Sequence, residues 1–182
     1  LCACHRAQPV EVPRGEAPAM VLVPTGALGR SFVAQQRLEG SYGERTFTLD
    51  AALQLREGKL TLMGLTPFNT RAFVLEQTGT DVQLEKFIER ELPFDPRHVL
   101  DAVHRVFFRG LNDSGVKEEF GERITETRES GQPRTRVYER LDGKPAGKLT
   151  VTFEGDASPV IAPVVTIQNG SYGYTSRLTT VS

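Results

Sequence analysis

The sequence predicts a mainly β fold (α+β), in which a curved antiparallel sheet of about ten strands forms an incomplete barrel and one helix packs on its concave face. Residues 46–56 alternate between apolar and mostly polar positions, as strands with one buried face do. Similar short segments, separated by turn residues, occur on both sides of this stretch. The spacing of apolar residues becomes helical over 95–109. Together these observations predict the fold class.

The first half of the domain is predicted to be an antiparallel meander. Glu57-Gly58-Lys59 is its first tight turn, because glycine readily adopts a positive φ. One face of the meander is apolar, so another element must cover it. The strands are expected at 31–38, 46–56, 60–65, 71–76 and 81–85.

The helix predicted at 95–109 is the element expected to cover that face. Asp95 is a good N-cap, Pro96 suits the first helical position, and Gly110 is expected to stop the helix in a left-handed conformation. We expect few charges in the enclosed space, because an unpaired buried charge is costly. An aliphatic and aromatic lining suits a hydrocarbon chain. The predicted ligand cavity is lined by Phe47, Leu49, Leu53, Leu55, Leu60, Leu62, Phe73, Leu75, Val99, Val103 and Phe107.

The second half of the chain is again predicted to form strands. Residues 123–128 are polar on nearly all sides and predict an exposed or edge strand. Residues 135–141 follow, with Val137 and Leu141 expected to point inward. The sheet ends with a strand at 148–154 and a hairpin about Asn169-Gly170.

Length and charge limit the classes of function. The 182 residues carry 22 Lys and Arg against 23 Asp and Glu, which gives a formal net charge of -1. We therefore predict no nucleic-acid partner. No run approaches the roughly 20 apolar residues of a membrane-spanning helix. A single folded domain and a monomer are expected.

The first four residues, Leu1-Cys2-Ala3-Cys4, have the form of a lipobox. We interpret residues 1–3 as a signal-peptide remnant and Cys4 as the lipid anchor. The alternative is a pair of ordinary cysteines near the chain end.

The stretch after Cys4 has the composition of a spacer. Four prolines between residues 9 and 24 favour an extended chain. The lipid anchor and Pro-rich tether are therefore assigned to 4–30, and the single domain to 31–182. Within the tether, the apolar run 19–23 is interpreted as an edge strand that lies on the domain.

No motif carries enzyme chemistry. Of the 3 histidines, His98 and His104 fall on different faces of the predicted helix, so they do not jointly bind a metal. Zinc-protease, paired-cysteine, phosphate-loop and nucleophile-elbow motifs are absent from the sequence. We predict that the protein is not an enzyme and has no catalytic residue, metal or cofactor.

A family resemblance is carried by the lipobox, the tether and four segments of the domain. These segments are Gly58-Lys59-Leu60-Thr61-Leu62, Leu65-Thr66-Pro67-Phe68, Glu91-Leu92-Pro93 and residues 169–178. Together they resemble the LolA/LolB-like bacterial outer-membrane lipoproteins, and most of all an uncharacterised branch of bacterial lipoproteins linked with aryl-polyene-type lipid gene clusters. The resemblance covers most of 31–182. It implies an incomplete antiparallel barrel, closed by helix, around an apolar cavity.

The resemblance also implies a role for the turn at Pro67 and Phe68, which we predict to be a membrane-contact loop. In LolB-like proteins a turn of the Pro-Leu-Gly type presents an apolar side chain that helps to deliver lipoproteins into the membrane, and Pro67-Phe68-Asn69 stands in the matching place. Two interpretations of Phe68 remain open. It either folds back over the sheet edge, half buried, or projects into solvent and inserts into lipid.

Two functions follow. The first is a membrane-anchored lipoprotein, on the periplasmic face of the bacterial outer membrane, that binds a hydrophobic ligand (a lipid or a lipoprotein acyl chain) and assists its transport or insertion. Its expected partners are a lipid or acylated protein, the membrane through the anchor, and a periplasmic carrier protein. The alternative is a structural or assembly lipoprotein of an outer-membrane complex, with a filled core and no ligand. An empty apolar cavity and the exposure of Phe68 distinguish the two.

Overall fold

The computed structural model describes residues 21–27, 29, 31–89, 92, 96–155 and 162–181. The lipobox, Cys4 and most of the predicted tether lie outside these residues. Within the described residues, eleven strands form one sheet. The strands are β1 (Phe32–Tyr42), β2 (Arg45–Arg56), β3 (Lys59–Leu65), β4 (Arg71–Thr78), β5 (Asp81–Lys86), β6 (Gly115–Glu119), β7 (Glu122–Glu129), β8 (Gln132–Arg140), β9 (Lys148–Glu154), β10 (Val164–Asn169) and β11 (Tyr174–Thr180).

The sheet consists of two meanders that are joined through the first and last strands. β1 pairs with both β2 and β11, so the strand order is β5-β4-β3-β2-β1-β11-β10-β9-β8-β7-β6. Neighbouring strands are antiparallel throughout. The edge strands β5 and β6 do not pair with each other, so the sheet is curved but unclosed. The predicted fold class is confirmed.

The first meander follows the predicted alternation. In β2, every second residue from Leu49 to Leu55 is buried, and the residues between them are partly buried. Boundaries agree within a few residues, except that β1 continues to Tyr42. The apolar face of this meander therefore forms one wall of the core, as expected for period-two strands.

Two cross-strand pairs bring a phenylalanine ring over a glycine. Gly40 of β1 faces Phe47 of β2, and Gly64 of β3 faces Phe73 of β4. A Cβ atom at either glycine would lie 2.2 Å from the opposite ring. The register also shifts between Gly64 and Leu65. Glycine at such positions lets a sheet bend while an aromatic ring covers the exposed backbone.

One helical segment lies between β5 and β6. It consists of α1 (Pro96–Val103), which continues directly into a π-helical turn at His104–Phe108. α1 packs against β4. The predicted N-cap, Asp95, lies outside the described residues. None of the helices in the described part of the chain is long and apolar enough to cross a bilayer.

The predicted role of Gly110 is wrong. The segment ends at Arg109, with φ -105° and ψ 21°, and Gly110 does not adopt a positive φ. A Cβ atom at Gly110 would instead lie 2.3 Å from a guanidinium nitrogen of Arg136. The glycine therefore makes room for a side chain, rather than for a left-handed turn.

The second meander corrects the predicted facing of two strands. β7 is not an exposed or edge strand, because β6 lies outside it and Glu122, Ile124 and Glu126 are buried. In β8 the inward residues are Arg136 and Tyr138, whereas Leu141 follows the strand and is 49% exposed. The prediction was out of phase by one residue, which moves every side chain of a strand to the other face.

Candidate functional site

The β3–β4 loop presents an aromatic side chain to solvent. Phe68 is 87% exposed, and Pro67 beside it is also exposed. The hydroxyl of Thr66 accepts hydrogen bonds from the backbone N–H groups of Phe68 (3.2 Å) and Thr70 (3.3 Å). Asn69 has φ 58° and donates its backbone N–H to the Thr66 carbonyl (2.9 Å). The loop is therefore held by its own hydrogen bonds, and Phe68 does not fold back over the sheet edge.

The eleven residues predicted to line a ligand cavity all belong to, or pack against, one hydrophobic core. Phe47, Val99 and Phe107 are partly buried, and the others are buried. The structure therefore brings these residues together. Their role in binding a ligand stays a prediction.

Two cavities bordered by described residues lie away from this core. One, of about 40 Å³, has space for about three water molecules. It is lined by Val21, Arg105, Glu122, Tyr138, Arg140, Pro145, Gly147, Leu149, Asn169, Ser171 and Tyr172. The other, of about 310 Å³, lies among Lys59, Glu76, Thr78, Asp81 and Gln83. None of the eleven predicted lining residues contributes to either cavity.

A charged network occupies the interior next to β7 and β8. Glu122 pairs with Arg105 (3.0 Å) and Arg109 (2.8 Å), and all three are buried. Glu126 pairs with Arg136, which is also buried, through one oxygen, and with Arg128 (2.6 Å) through the other. The expectation of few buried charges is wrong here, because mutual pairing offsets the cost of removing these groups from water.

The network also closes the end of the helical segment. Arg136 donates to the backbone carbonyls of Arg105 and Val106, and the Tyr138 hydroxyl donates to the carbonyl of Arg105 (2.8 Å). Burial raises the pKa of Tyr138, which favours the protonated, donating phenol. The guanidinium groups of Arg105 and Arg109 lie 4.8 and 5.1 Å from the centre of the Tyr138 ring. Such contacts add a cation–π attraction.

His104 connects the helical segment to the N-terminal strap, which we define as Val21–Ala27. Its Nδ1 accepts the Val23 N–H (3.1 Å), so its Nε2 carries the proton and donates to Oε1 of Gln77 (2.6 Å). Gln77 in turn donates to the carbonyl of Val23 (2.9 Å). His104 is completely buried, whereas His98 is exposed.

The strap packs on the domain, although its residues precede residue 31, where the domain was predicted to begin. Thr25 makes two hydrogen bonds with Gly79, which lies in the β4–β5 turn. The Thr25 N–H donates to the Gly79 carbonyl (3.0 Å), and the Thr25 hydroxyl accepts from the Gly79 N–H (2.8 Å). Val21–Val23, the described part of the predicted edge strand, forms no strand. The described residues also contain no group of three or more His, Cys, Asp or Glu placed to hold a metal.

Replacing Arg136 by Met should lower the free energy of unfolding by about 3–5 kcal/mol, because Glu126 and two helix carbonyls lose a buried donor. Urea denaturation gives the value. Arg123→Met is the matched control, since Arg123 pairs with Glu118 at a surface where both side chains are about half exposed. For Arg123→Met we expect the free energy of unfolding to fall by less than about 1 kcal/mol. Equal losses in the two variants would contradict a buried, stabilising pair.

Stability should also fall as pH decreases between 6.5 and about 4. Burial, with a smaller effect of Arg109, lowers the pKa of His104 from 6.5 to about 4. Between these two pH values the His104 side chain is protonated in the unfolded chain but not in the folded chain. This difference lowers the free energy of unfolding by a total on the order of 3 kcal/mol. We expect the difference in unfolding free energy between wild type and His104→Gln to shrink over this range. Parallel pH profiles would show that His104 is not held neutral.

Comparison with known proteins gives a family but no function. No curated protein matches the chain. A domain from Vibrio parahaemolyticus, named for outer membrane lipoprotein sorting, is similar in structure with 11% identity and a TM-score of 0.47, over 82% of this chain and 83% of that chain. A DUF1329 family protein from Desulfovibrio piger has 8% identity and a TM-score of 0.34, over 87% of each chain. At these TM-scores neither likeness supports a functional conclusion. The family model described as "Protein of unknown function (DUF3261)" matches residues 33–182, and the chain belongs to that family.

Proposed function

We propose that this protein is a membrane-anchored lipoprotein of the bacterial outer membrane that binds a hydrophobic ligand and assists its transport or insertion, with the Phe68 loop touching the bilayer. One observation carries the proposal: Phe68 is 87% exposed on a loop that its own hydrogen bonds hold in place. A large apolar side chain held in water gains free energy wherever it finds an apolar environment.

The free energy gained by burying Phe68 in a membrane is too small to hold the protein there, so a second attachment is needed. Complete burial of a phenylalanine side chain is worth about 1.5–3 kcal/mol. The loop is already ordered, so little of this gain is lost in fixing its conformation. A single phenylalanine nevertheless gives only weak binding. Acyl chains on Cys4 would supply the stable attachment, and Phe68 would then determine how the domain meets the membrane.

One wall of the interior is apolar and the other is ionic, and this difference supports a ligand site beside α1. Apart from Gln77, the buried side chains of β2, β3 and β4 are aliphatic or aromatic, and this wall contains most of the predicted lining residues. The π-helical turn is tied to the opposite wall by ion pairs and hydrogen bonds. An acyl chain would therefore enter where α1 lies on β4, because the buried residues that α1 itself contributes there are apolar. The buried hydrogen bond between His104 and Gln77 of β4 would mark the end of that site. β4 begins directly after the Phe68 loop.

The assembly function is the second candidate, and the packing of the predicted lining residues into one core favours it. The predicted lining residues form a core, and the 40 Å³ cavity is bordered by charged and polar groups. A protein of this kind would use the same anchor and loop for attachment. It would bind a partner protein, without a ligand between sheet and helical segment.

Vesicle binding tests the role of Phe68. In the full chain carrying Cys4→Ala, we expect Phe68→Glu to weaken sedimentation with phospholipid vesicles. Phe68→Ala should change the free energy of unfolding by less than about 0.5 kcal/mol, since the side chain is exposed. Val33→Glu is the matched control, because Val33 is 66% exposed on β1. Lost thermal stability in Phe68→Ala together with unchanged vesicle binding in Phe68→Glu would dismiss the insertion role.

Native mass spectrometry distinguishes the two candidate functions. If the protein carries a hydrophobic ligand, the folded Cys4→Ala chain from a bacterial host should appear with added masses of lipid or fatty acid. Leu62→Gln, on the apolar wall of β3, should lose this ligand, whereas Thr48→Gln, at an exposed position of β2, should retain it. Chains without added mass in every preparation would favour the assembly function.

A further inference from the structure

A second exposed aromatic residue lies beside the Phe68 loop. We propose that Arg71 and Phe87 form a binding patch for the headgroups of anionic phospholipids. The inference rests on the proposed membrane contact of Phe68 and adds the class of lipid that this contact recognises. We call these two residues the headgroup patch.

Backbone pairing brings the patch to the base of the Phe68 loop. Arg71 is the first residue of β4 and directly follows the loop. β5 ends at Lys86, which lies opposite Phe73 of β4. The next residue, Phe87, donates its N–H to the carbonyl of Ala72 (2.9 Å). Phe87 is therefore held against the start of the strand into which the loop leads.

The two side chains of the patch are in contact. The guanidinium carbon of Arg71 lies 5.0 Å from the centre of the Phe87 ring. Phe87 is 42% exposed, and Arg71 is also exposed. A cation–π contact at this distance holds the guanidinium group at the ring by its charge, and its N–H groups can still donate to an anion. The pair thus combines an apolar surface with a fixed set of cationic donors.

The cation of the patch lacks an acidic partner among the described residues. Arg71 forms no ion pair with any described carboxylate, whereas exposed Arg37, Arg123 and Arg177 each do. An external anion is therefore the complementary partner for this surface.

A phospholipid surface fits this chemistry better than a free anion does. Arginine donates well to phosphate oxygens, and aromatic rings are favoured at the level of lipid headgroups. Phe68, in the loop that leads into Arg71, is the most exposed of the large apolar side chains among the described residues. With Phe68 in the acyl region, Phe87 and Arg71 would lie at the headgroups, where a basic residue gains about 1 kcal/mol on an anionic membrane.

Vesicle partitioning tests the patch separately from Phe68. The full chain with Cys4→Ala is titrated with vesicles of phosphatidylcholine alone, and of phosphatidylcholine containing about one third phosphatidylglycerol. Wild type should bind the anionic vesicles more tightly, and added salt should weaken that binding. Arg71→Gln should lower the affinity for anionic vesicles about fivefold and leave binding to phosphatidylcholine unchanged. Phe87→Ala should weaken binding to both.

Two variants serve as matched controls, and circular dichroism verifies that every variant is folded. Arg56→Gln removes the same charge at an exposed position at the opposite end of β2 and β3 from the Phe68 loop. Val33→Ala removes exposed apolar surface from β1. Neither should change partitioning. If Phe68→Glu abolishes binding but Arg71→Gln does not change the anionic preference, the headgroup patch is overturned and the membrane contact stands. If wild type binds neither kind of vesicle, both are overturned.

Discussion

The rest of the structure depends on the hydrogen bonds by which Arg136 holds the end of the helical segment. The last carbonyls of a helix have no partner within the helix. Arg136 donates to two of them and pairs with Glu126 through another nitrogen, all in a buried setting. A guanidinium group carries five donors in one plane, so one side chain satisfies both partners. The same arrangement requires Gly110, where any Cβ atom would collide with Arg136.

This attachment makes the two walls of the interior unequal. Toward β4, α1 contributes Leu100 and Val103 to an apolar core. Toward β7 and β8, the π-helical turn is tied by buried ion pairs whose separation leaves an uncompensated charge. A displacement of the helical segment therefore costs least at α1, before the hydrogen bond of His104 to Gln77 of β4. The location of the proposed ligand site follows from this difference in chemistry.

The apolar wall was predictable from the sequence, whereas the ionic wall was not. Alternation over residues 46–56 of β2 reveals which face is buried, because one set of positions is apolar and the other is polar except for Ala52. In β7 and β8 the inward positions include Glu126 and Arg136, and burial of either alone would be prohibitive. They are opposite each other in register, a relation that emerges only once the strands are paired. The period-two spacing of Glu122, Ile124 and Glu126 was the signal available in the sequence. The outward direction of Phe68 depends on the Thr66 hydroxyl, which turn composition does not specify.

The position of the strap is compatible with membrane contact at Phe68. Thr25 is fixed to Gly79, at the end of β4 opposite the Phe68 loop. The 8 residues of β4 separate these points by about 26 Å. A chain running from Cys4 to Val21 reaches at most about 55–60 Å when fully extended. Because that reach exceeds the separation, an anchor at Cys4 would allow the loop to meet the bilayer. Residues at the base of the loop would then influence which orientation is most stable, so an anchored domain would gain from a headgroup contact beside its apolar tip.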